Sequence, residues 1–373
     1  MFSSEDEGYM KHALALARRG LGHTRPNPLV GAVLVKHGRI IGEGWHERYG
    51  GPHAEVNAFA SCREDPAGAT LYVTLEPCSH YGKTPPCADL IIRKKVGRVV
   101  TSMVDPNPLV SGRGIEKLKN AGIPVTVGVL EEDCRRMNEV FLKFVTEKKP
   151  FVLYKAAVSL DGRPACHTGD SQWISSEASR EDAHRLRAQY AGIMTGIGTI
   201  LADNPRLTAR IPGAEDPVRI IADSQLRIPL AAAALHEPGH VIVLTTSQAP
   251  EEKKNAVQAL GADVIVADGL HGEVDLKLAM TCLAACGIDG ILLEGGGTLA
   301  AAALEAGIID KVCFYAAPLL IGGGRAPSPL GGFGAAHLSD AVRLRDMTCE
   351  ASGPDLKITA YVDREDRHVY GNR

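Results

Sequence analysis

Strand-like and helix-like segments alternate along the whole 373-residue chain, with Gly and Pro at most of the junctions. That alternation restricts the fold to helices layered on sheets, because each helix must bury its apolar stripe against a sheet face. Forty glycines and only 5% aromatics agree with it: the core is Val, Ile, Leu and Ala, and tight turns are many. A first helix starts near Ser4, where Ser4 and Glu7 have capping-box spacing, and stops at Gly20; Met10, Ala13, Leu14 and Ala17 make its apolar face. Residues 29–36 and 39–45 flank the turn His37-Gly38 and predict a hairpin. Helices are then expected at 53–62, 87–95, 113–121 and 131–147, and strands at 69–75, 98–104 and 123–129. The charged stretch Glu147-Lys148-Lys149-Pro150 ends this run and predicts two domains, 1–149 and 150–373. In the second, strands are expected at 151–163, 192–195, 217–222, 239–245, 262–266, 289–294, 310–317 and 357–362, with helices between most of them. The run Ala231–Ala234 reads as a helix start.

A net charge of −3 leaves no global basic field to attract nucleic acid. The halves differ: residues 1–149 hold 21 Lys and Arg against 17 Asp and Glu, and the remainder holds 20 against 27. The modest basic excess of the first half suits a small anionic substrate better than a polynucleotide. Nine cysteines, an odd number thinly spread, are not a disulfide framework. No run approaches the ~18 apolar residues of a spanning helix. The start Met-Phe-Ser-Ser-Glu-Asp-Glu is acidic where a signal peptide needs base. A cytoplasmic protein with reduced thiols is expected.

Three of those side chains have metal-ligand chemistry. His53-Ala54-Glu55 opens a helix, Glu76-Pro77-Cys78 ends a strand, and Cys87 begins the next helix after Pro85-Pro86. One imidazole and two thiolates suit tetrahedral zinc and leave its fourth position to water. There the metal lowers the water's pKa from about 15.7 toward roughly 7–9. Glu55 is not counted as a ligand; it takes the water's proton and returns it to a leaving amine, as in the H-x-E plus P-C pattern of zinc deaminases. A structural zinc with His80 as fourth ligand is the other reading, and it leaves Glu55 without a purpose. Cys62, Cys134, Cys166, Cys282, Cys286, Cys313 and Cys349 read as buried filler. Eight residues separate Cys78 from Cys87, where P-C-x-x-C has two. That insertion lies at the rim of the metal site, so His80 and Lys83 are candidates to hold an anionic group of the substrate.

In the second half, Glu294-Gly295-Gly296-Gly297-Thr298 follows a strand and opens an apolar helix. Glycines let the backbone approach a phosphate, and the helix start favours its charge; a plain strand-to-helix turn is the alternative. Gly196-Ile197-Gly198-Thr199 is only a fragment of the dinucleotide fingerprint. Ile321–Arg325 is a second Gly-rich turn with a basic neighbour.

P-C-S-H-Y-G-K-T-P-P-C (77–87) with H-A-E (53–55), TRPNPLVG (24–31), GEGWH (42–46) and DPNPLVSGRG (105–114) resembles the deaminase half of the bifunctional riboflavin-biosynthesis deaminase/reductase family. KAAVSLDGR (155–163), SQWI (171–174), RLRA (185–188), GIGTI (196–200) and DNPRLTAR (203–210) resemble its reductase half, so the likeness runs from about residue 5 to about 362. The resemblance implies an α/β protein: a cytidine-deaminase-like mixed sheet with helices on both faces, then a dihydrofolate-reductase-like α/β domain. It implies zinc and NADPH as cofactors. It also implies deamination of 2,5-diamino-6-ribosylamino-4(3H)-pyrimidinone 5′-phosphate, followed by reduction of its ribosyl group to ribityl.

By motif position, Asn27 and His46 would touch the pyrimidine or ribose, His80 and Lys83 the phosphate or sugar, and Asp105 and Asn107 would line the pocket. Ala157, Trp173, Thr199, Asp203, Gly296, Gly297 and Thr298 would contact NADPH, with Asp203 assisting protonation. Ser171, Arg187, Leu207, Arg210 and Glu294 would contact substrate, Arg187 and Arg210 as clamps on the 5′-phosphate. Lys155 faces the same cleft with no assigned partner. Asp203-Asn204-Pro205 departs from the acidic pair common before that proline, so Asn204 has no assigned role. The partner implied is a small pyrimidine ribosyl phosphate, not nucleic acid or membrane, and the apolar helices of the second half allow a homo-oligomer. A nucleobase or tRNA-editing deaminase would want a basic patch and stacking aromatics near the zinc, and the first half has little of either. A non-catalytic zinc-stabilised nucleotide sensor would want a broken site, yet His53, Glu55, Cys78 and Cys87 are all present.

Overall fold

The computed structural model describes residues 2–79, 85–107 and 111–363, and the chain divides between Lys148 and Lys149 into two units. The first holds α1 (Ser4–Ala17), β1 (Gly31–Lys36), β2 (Arg39–Trp45), α2 (Ala54–Ala60), β3 (Thr70–Leu75), α3 (Cys87–Arg93), β4 (Arg98–Met103), α4 (Arg113–Asn120), β5 (Val125–Val127), α5 (Glu131–Met137) and α6 (Glu139–Glu147). The strands lie in the order β2-β1-β3-β4-β5. β1 is antiparallel to β2 and β3, and β3, β4 and β5 are parallel. Successive strand side chains point to opposite faces. Ala32, Leu34, Leu71, Val73 and Val99 therefore meet α2, α3 and α4 through Ala58, Ile91 and Leu118. Val33, Val35, Tyr72 and Val100 meet α1, α5 and α6 through Met10, Cys134 and Leu142. The result is the expected mixed sheet with helices on both faces.

Local chemistry moved some boundaries. Ser3, not Ser4, caps α1: its Oγ accepts from Asp6 N at 3.0 Å, and Glu7 N donates to its carbonyl at 3.1 Å. A 3-10 turn over Arg18–Gly20 then closes the segment. The single helix expected at 131–147 is two, broken at Asn138. That buried side chain accepts from Leu29 N at 2.8 Å and donates to Leu29 O at 3.1 Å, satisfying an extended segment over 100 residues away.

The second unit holds β6 (Phe151–Ser159), α7 (Glu177–Gln189), β7 (Gly192–Gly196), α8 (Ile197–Asp203), β8 (Val218–Ala222), α9 (Ala233–His236), β9 (Val241–Thr245), α10 (Glu251–Ala259), β10 (Asp263–Val266), α11 (Leu276–Ala285), β11 (Gly290–Glu294), α12 (Gly297–Glu305), β12 (Lys311–Ala317), β13 (Leu344–Ser352) and β14 (Asp355–Val362). Its sheet runs β10-β9-β8-β7-β11-β6-β12-β14-β13, parallel from β10 to β12, with an antiparallel hairpin at the end. Val152, Ile220, Ile242 and Leu293 pack on α11 and α12, while Ile193, Ile221 and Val243 face α8, α9 and α10. The chain crosses from β6 to β7 and later returns to lay β11 between them. Such a switch in strand order opens a crevice at the strands' carboxyl ends.

β13 was missed in the sequence: it is an edge strand exposed on most of its length, and a register shift between Arg345 and Thr348 interrupts its apolar alternation, which runs only from Met347. The filler cysteines also need correcting. Cys134 and Cys313 are buried and Cys62, Cys166 and Cys282 half-buried, but Cys286 and Cys349 are exposed. Among the described residues, no helix is long and apolar enough to cross a membrane.

Asn138→Ala leaves a buried amide and carbonyl of Leu29 unpaired and should cost about 2–3 kcal/mol. The Trp45 fluorescence melting transition, read in a Trp173→Phe background, should fall by several degrees. A transition that does not move would exclude this role for Asn138.

Candidate functional site

α2 and α3 both start where β3 ends. His53 caps α2, Cys78 follows β3, and Cys87 is the first residue of α3. Their ligand atoms lie within 4.8 Å of one another. His53 Nδ1 is 3.6 Å from Cys78 Sγ and 3.4 Å from Cys87 Sγ. Tetrahedral zinc, with bonds of about 2.3 Å to sulfur and about 2.05 Å to nitrogen, spaces such atoms about 3.6 Å apart. The donor set and its spacing therefore fit zinc. Cys87 N donates to Cys78 Sγ at 3.2 Å. Hydrogen bonds from Cys87 and His53 hold the Cys78 thiol well below its ordinary range.

Glu55 stands in the first turn of α2 with 4% of its surface exposed. Burial first, then the charge of Cys78, push its carboxyl up to about 7. Glu76, at the end of β3, is a brace: its carboxylate accepts from the amides of Asp105, Gly112, Gly114 and Ile115 at 2.8–3.2 Å. This fixes the start of α4 beside the metal loop. A side chain on Gly114 would put Cβ 1.9 Å from Pro77 O, so only glycine fits there.

The first-unit pocket residues divide. The His46 and His53 rings meet edge to face at 5.8 Å. Both His46 nitrogens are engaged within the protein: Nδ1 with Pro52 O at 2.9 Å and Nε2 with Asn27 Nδ2 at 3.1 Å. A donating Nδ1–H leaves Nε2 to accept from the amide, and burial lowers the pKa and keeps the ring neutral. His46 is therefore placed to orient Asn27, where the sequence suggested ligand contact. Asp105 Oδ1 accepts from Asn107 N at 2.8 Å, an Asx turn. His80 and Lys83 lie outside the described residues.

In the second unit a cleft of about 1520 Å³ opens at the carboxyl ends of the parallel strands. Ala157, Ser171, Trp173, Arg187, Thr199, Asp203, Leu207, Arg210, Glu294, Gly296, Gly297 and Thr298 all line it, as does Lys155. β7 and β11 are neighbours, so the turns into α8 and α12 lie side by side, and Gly296 N donates to Thr199 Oγ1 at 3.2 Å. A Cβ on Gly297 would sit 2.4 Å from Ser328 O, so the protein's own backbone demands this glycine. The Ile321–Arg325 turn is not part of the cleft lining; Asp161 takes its Ile321 and Gly322 amides.

Arg187 differs most from expectation. Its Nε and Nη2 fork onto Glu294 at 3.0 and 2.8 Å, and Nη1 donates to Thr208 O at 3.2 Å. Three of its five N–H groups are thus engaged in the wall of the cleft, while Arg210 lines the same cleft as an exposed guanidinium. Lys155 Nζ lies 3.8 Å from Glu294 Oε2, supplying the partner the sequence did not reveal. Burial opposes the charge on Glu294, but Lys155 and Arg187 outweigh it and bring the carboxyl down to about 2. Asn204 caps α8 in the left-handed region with φ 42°, and its Oδ1 accepts from Ala233 N at 2.8 Å. Asn adopts this conformation more readily than most residues.

Among the cleft residues that the sequence did not single out are Arg180 and His184. With Ala183 and Arg187 they occupy one face of α7, and the i, i+3, i+4, i+7 spacing was a readable signal. The Arg180 guanidinium stacks 4.6 Å over the Trp173 ring.

Residues 150–358 match the family model described as the RibD C-terminal domain, and residues 3–103 match the cytidine and deoxycytidylate deaminase zinc-binding region. The riboflavin biosynthesis protein RibD of Actinobacillus pleuropneumoniae is 46% identical over 352 residues, covering 94% of each chain. That of Bacillus amyloliquefaciens is 44% identical over 372 residues, covering 99% of this chain and 100% of the other. The solved structure of Acinetobacter baumannii RibD superposes with a TM-score of 0.87 at 37% identity, covering 96% of this chain and 99% of that one. A Thermotoga maritima diaminohydroxyphosphoribosylaminopyrimidine deaminase/5-amino-6-(5-phosphoribosylamino)uracil reductase gives 0.85 at 38% identity, with the same coverage.

Glu294→Gln leaves Arg187 and Lys155 without their counter-charge and should destabilise the second unit by about 3–5 kcal/mol at neutral pH. Because the folded carboxyl is depressed, its contribution is complete above about 4.5 and is lost as pH falls toward about 2. Thermal melts of the two proteins should therefore converge through that window. A gap that stays constant from pH 6 to about 2.5 would refute the assignment.

Proposed function

As a member of the RibD family of riboflavin-biosynthesis deaminase/reductases, to which this chain belongs, the protein is both a hydrolase and an oxidoreductase, and we propose that its substrate is 2,5-diamino-6-ribosylamino-4(3H)-pyrimidinone 5′-phosphate. The first unit exchanges the ring's 2-amino group for oxygen with release of ammonia, and the second reduces the ribosyl group to ribityl. The observation that carries this reading is the zinc-spaced set of His53, Cys78 and Cys87 with a buried carboxyl, Glu55, next to it and outside the ligand set.

His53, Cys78 and Cys87 would hold zinc, which would supply Lewis-acid activation of a water for the ring carbon. Glu55 accepts that water's proton, and its carboxyl then donates to the departing amine, so the group returns to its starting state. Burial supports this role, because a carboxyl brought up to about 7 both takes and gives a proton near neutrality. Asn27, held by His46, positions the pyrimidine.

In the second unit the cleft would hold NADPH, which would supply the hydride for carbon-1 of the ring-opened sugar imine. The imine nitrogen gains a proton, delivered from the side of Asp203, and a secondary amine results. Arg210 and Lys155 hold the 5′-phosphate, while Glu294 and Arg187 keep the wall rigid and the substrate oriented. Trp173, Thr199 and the Gly296–Thr298 turn receive the cofactor.

Incubation of the diaminopyrimidine ribosyl phosphate should give a gain of about one mass unit, and about two more with NADPH. Glu55→Gln should lower ammonia release by about 10²–10⁴-fold with zinc content intact. It should leave NADPH oxidation unchanged on the already deaminated compound. Ammonia release that survives the substitution would overturn the mechanism.

A further inference from the structure

His184 lies on the cleft face of α7, between Arg180, which stacks on Trp173, and Arg187, which forks onto Glu294. Both neighbours make polar contacts within the protein. In His184, Nδ1 is buried with no hydrogen-bond partner among the described residues. The charged groups around it come from four places: Arg187 on the same helix, Arg210 after α8, Lys155 on β6 and Glu294 on β11. Burial first, then Arg187 and Arg210, lower the pKa of the ring, with Glu294 acting in the opposite direction. The imidazole is therefore neutral and carries one N–H.

Which nitrogen holds the proton follows from what is buried. An orphaned buried N–H is rarer in proteins than an under-used acceptor. The bare lone pair therefore stays on Nδ1 and the proton sits on Nε2. Since the ring lines the cleft, Nε2 is the nitrogen it presents there. Around the ring the cations Lys155, Arg187 and Arg210 outnumber the carboxylate of Glu294. A sugar phosphate carries about −1.5 to −2 at neutral pH, so it suits such surroundings and still has oxygens to accept a neutral donor.

We propose that His184 is a substrate-binding residue of the second unit, its Nε2–H donating to a phosphate-monoester oxygen that Arg210 and Lys155 also hold. The inference rests on the reading of this cleft as the reductase site. Phosphate in the cleft has two sources, the substrate and the cofactor, and the commitment is to the substrate.

The test uses the full chain with His184→Ala and His184→Gln, because the Gln side-chain amide reaches nearly the place of Nε2. On the deaminated ribosyl phosphate, His184→Ala should raise the substrate KM about tenfold, with kcat within about threefold and the NADPH KM within about twofold. His184→Gln should recover most of the KM. With the dephosphorylated substrate, wild type and His184→Ala should be equally poor. Ammonia release should be unchanged in both variants, as evidence that the chain is folded. An unmoved substrate KM, an equal loss on the dephosphorylated compound, or a shift in the NADPH KM instead would overturn the proposal. If wild type fails to oxidise NADPH with this substrate, the reductase reading fails separately. Ribose 5-phosphate binding, followed by Trp173 fluorescence in a Trp45→Phe background, still decides the inference: binding about tenfold weaker in His184→Ala supports it, and equal binding overturns it.

Discussion

Parallel strands all point one way, so every crossover helix that leaves them starts at the same edge of the sheet. In the first unit that edge gathers the ends of β3 and β4 and the starts of α2, α3 and α4, which brings His53, Glu55, Cys78 and Cys87 within reach of one ion. In the second it gathers β6, β7, β8 and β11 and the turns into α8 and α12, around one cleft. Strand direction supplies the place, and the side chains at the strand ends supply the chemistry. Glu76 shows how closely the two are tied. One carboxylate at the end of β3 satisfies four amides of the loop and helix after β4, so the end of β3 is tied to the start of α4.

The two sites handle charge by opposite means. At the metal centre, thiolates and an imidazole converge on a point where a dication fits, and the one carboxyl nearby is pushed toward neutrality by burial. In the cleft, burial opposes Glu294 as well, yet two cations hold it fully ionised. The difference lies in partners, not in depth. The second unit has an overall excess of acid, and its cleft is still locally positive because Lys155, Arg187 and Arg210 converge from separate elements. Attraction for an anion is thus set within a few ångströms, where screening is weak, and not by the charge of the unit.

The metal ligands were legible because each residue type has few other uses at such spacing, and because Pro85-Pro86 marks where α3 must begin. The residues of the cleft were legible as a set, through resemblance, but not in their individual roles. Arg187 carries no sign in the sequence that its partner is 107 residues away, so a clamp and a wall look alike until Glu294 is seen across from it. His46 is similar: an imidazole beside Asn27 reads as a ligand contact, and only the bonds to Pro52 and Asn27 show both nitrogens engaged. The break at Asn138 could not be read, because helical periodicity runs through it and the cause is a distant backbone segment at Leu29. His184 was readable from the face of α7, since Arg187 at i+3 already marked that face as functional.

The phosphate of the proposed substrate is untouched by either reaction and is a charged handle common to both. Each unit must then grip it by its own means, since their sheets, charge balance and neighbouring helices are unrelated. In the second unit Glu294 pairs with Arg187 and Lys155, and on the proposed reading Arg210, Lys155 and the neutral His184 meet the ligand. A neutral donor in that place is better than a further cation. It adds a hydrogen bond without deepening the positive charge that the empty cleft must hold against its own repulsion, and that repulsion would otherwise fall on the same few residues that Glu294 already stabilises.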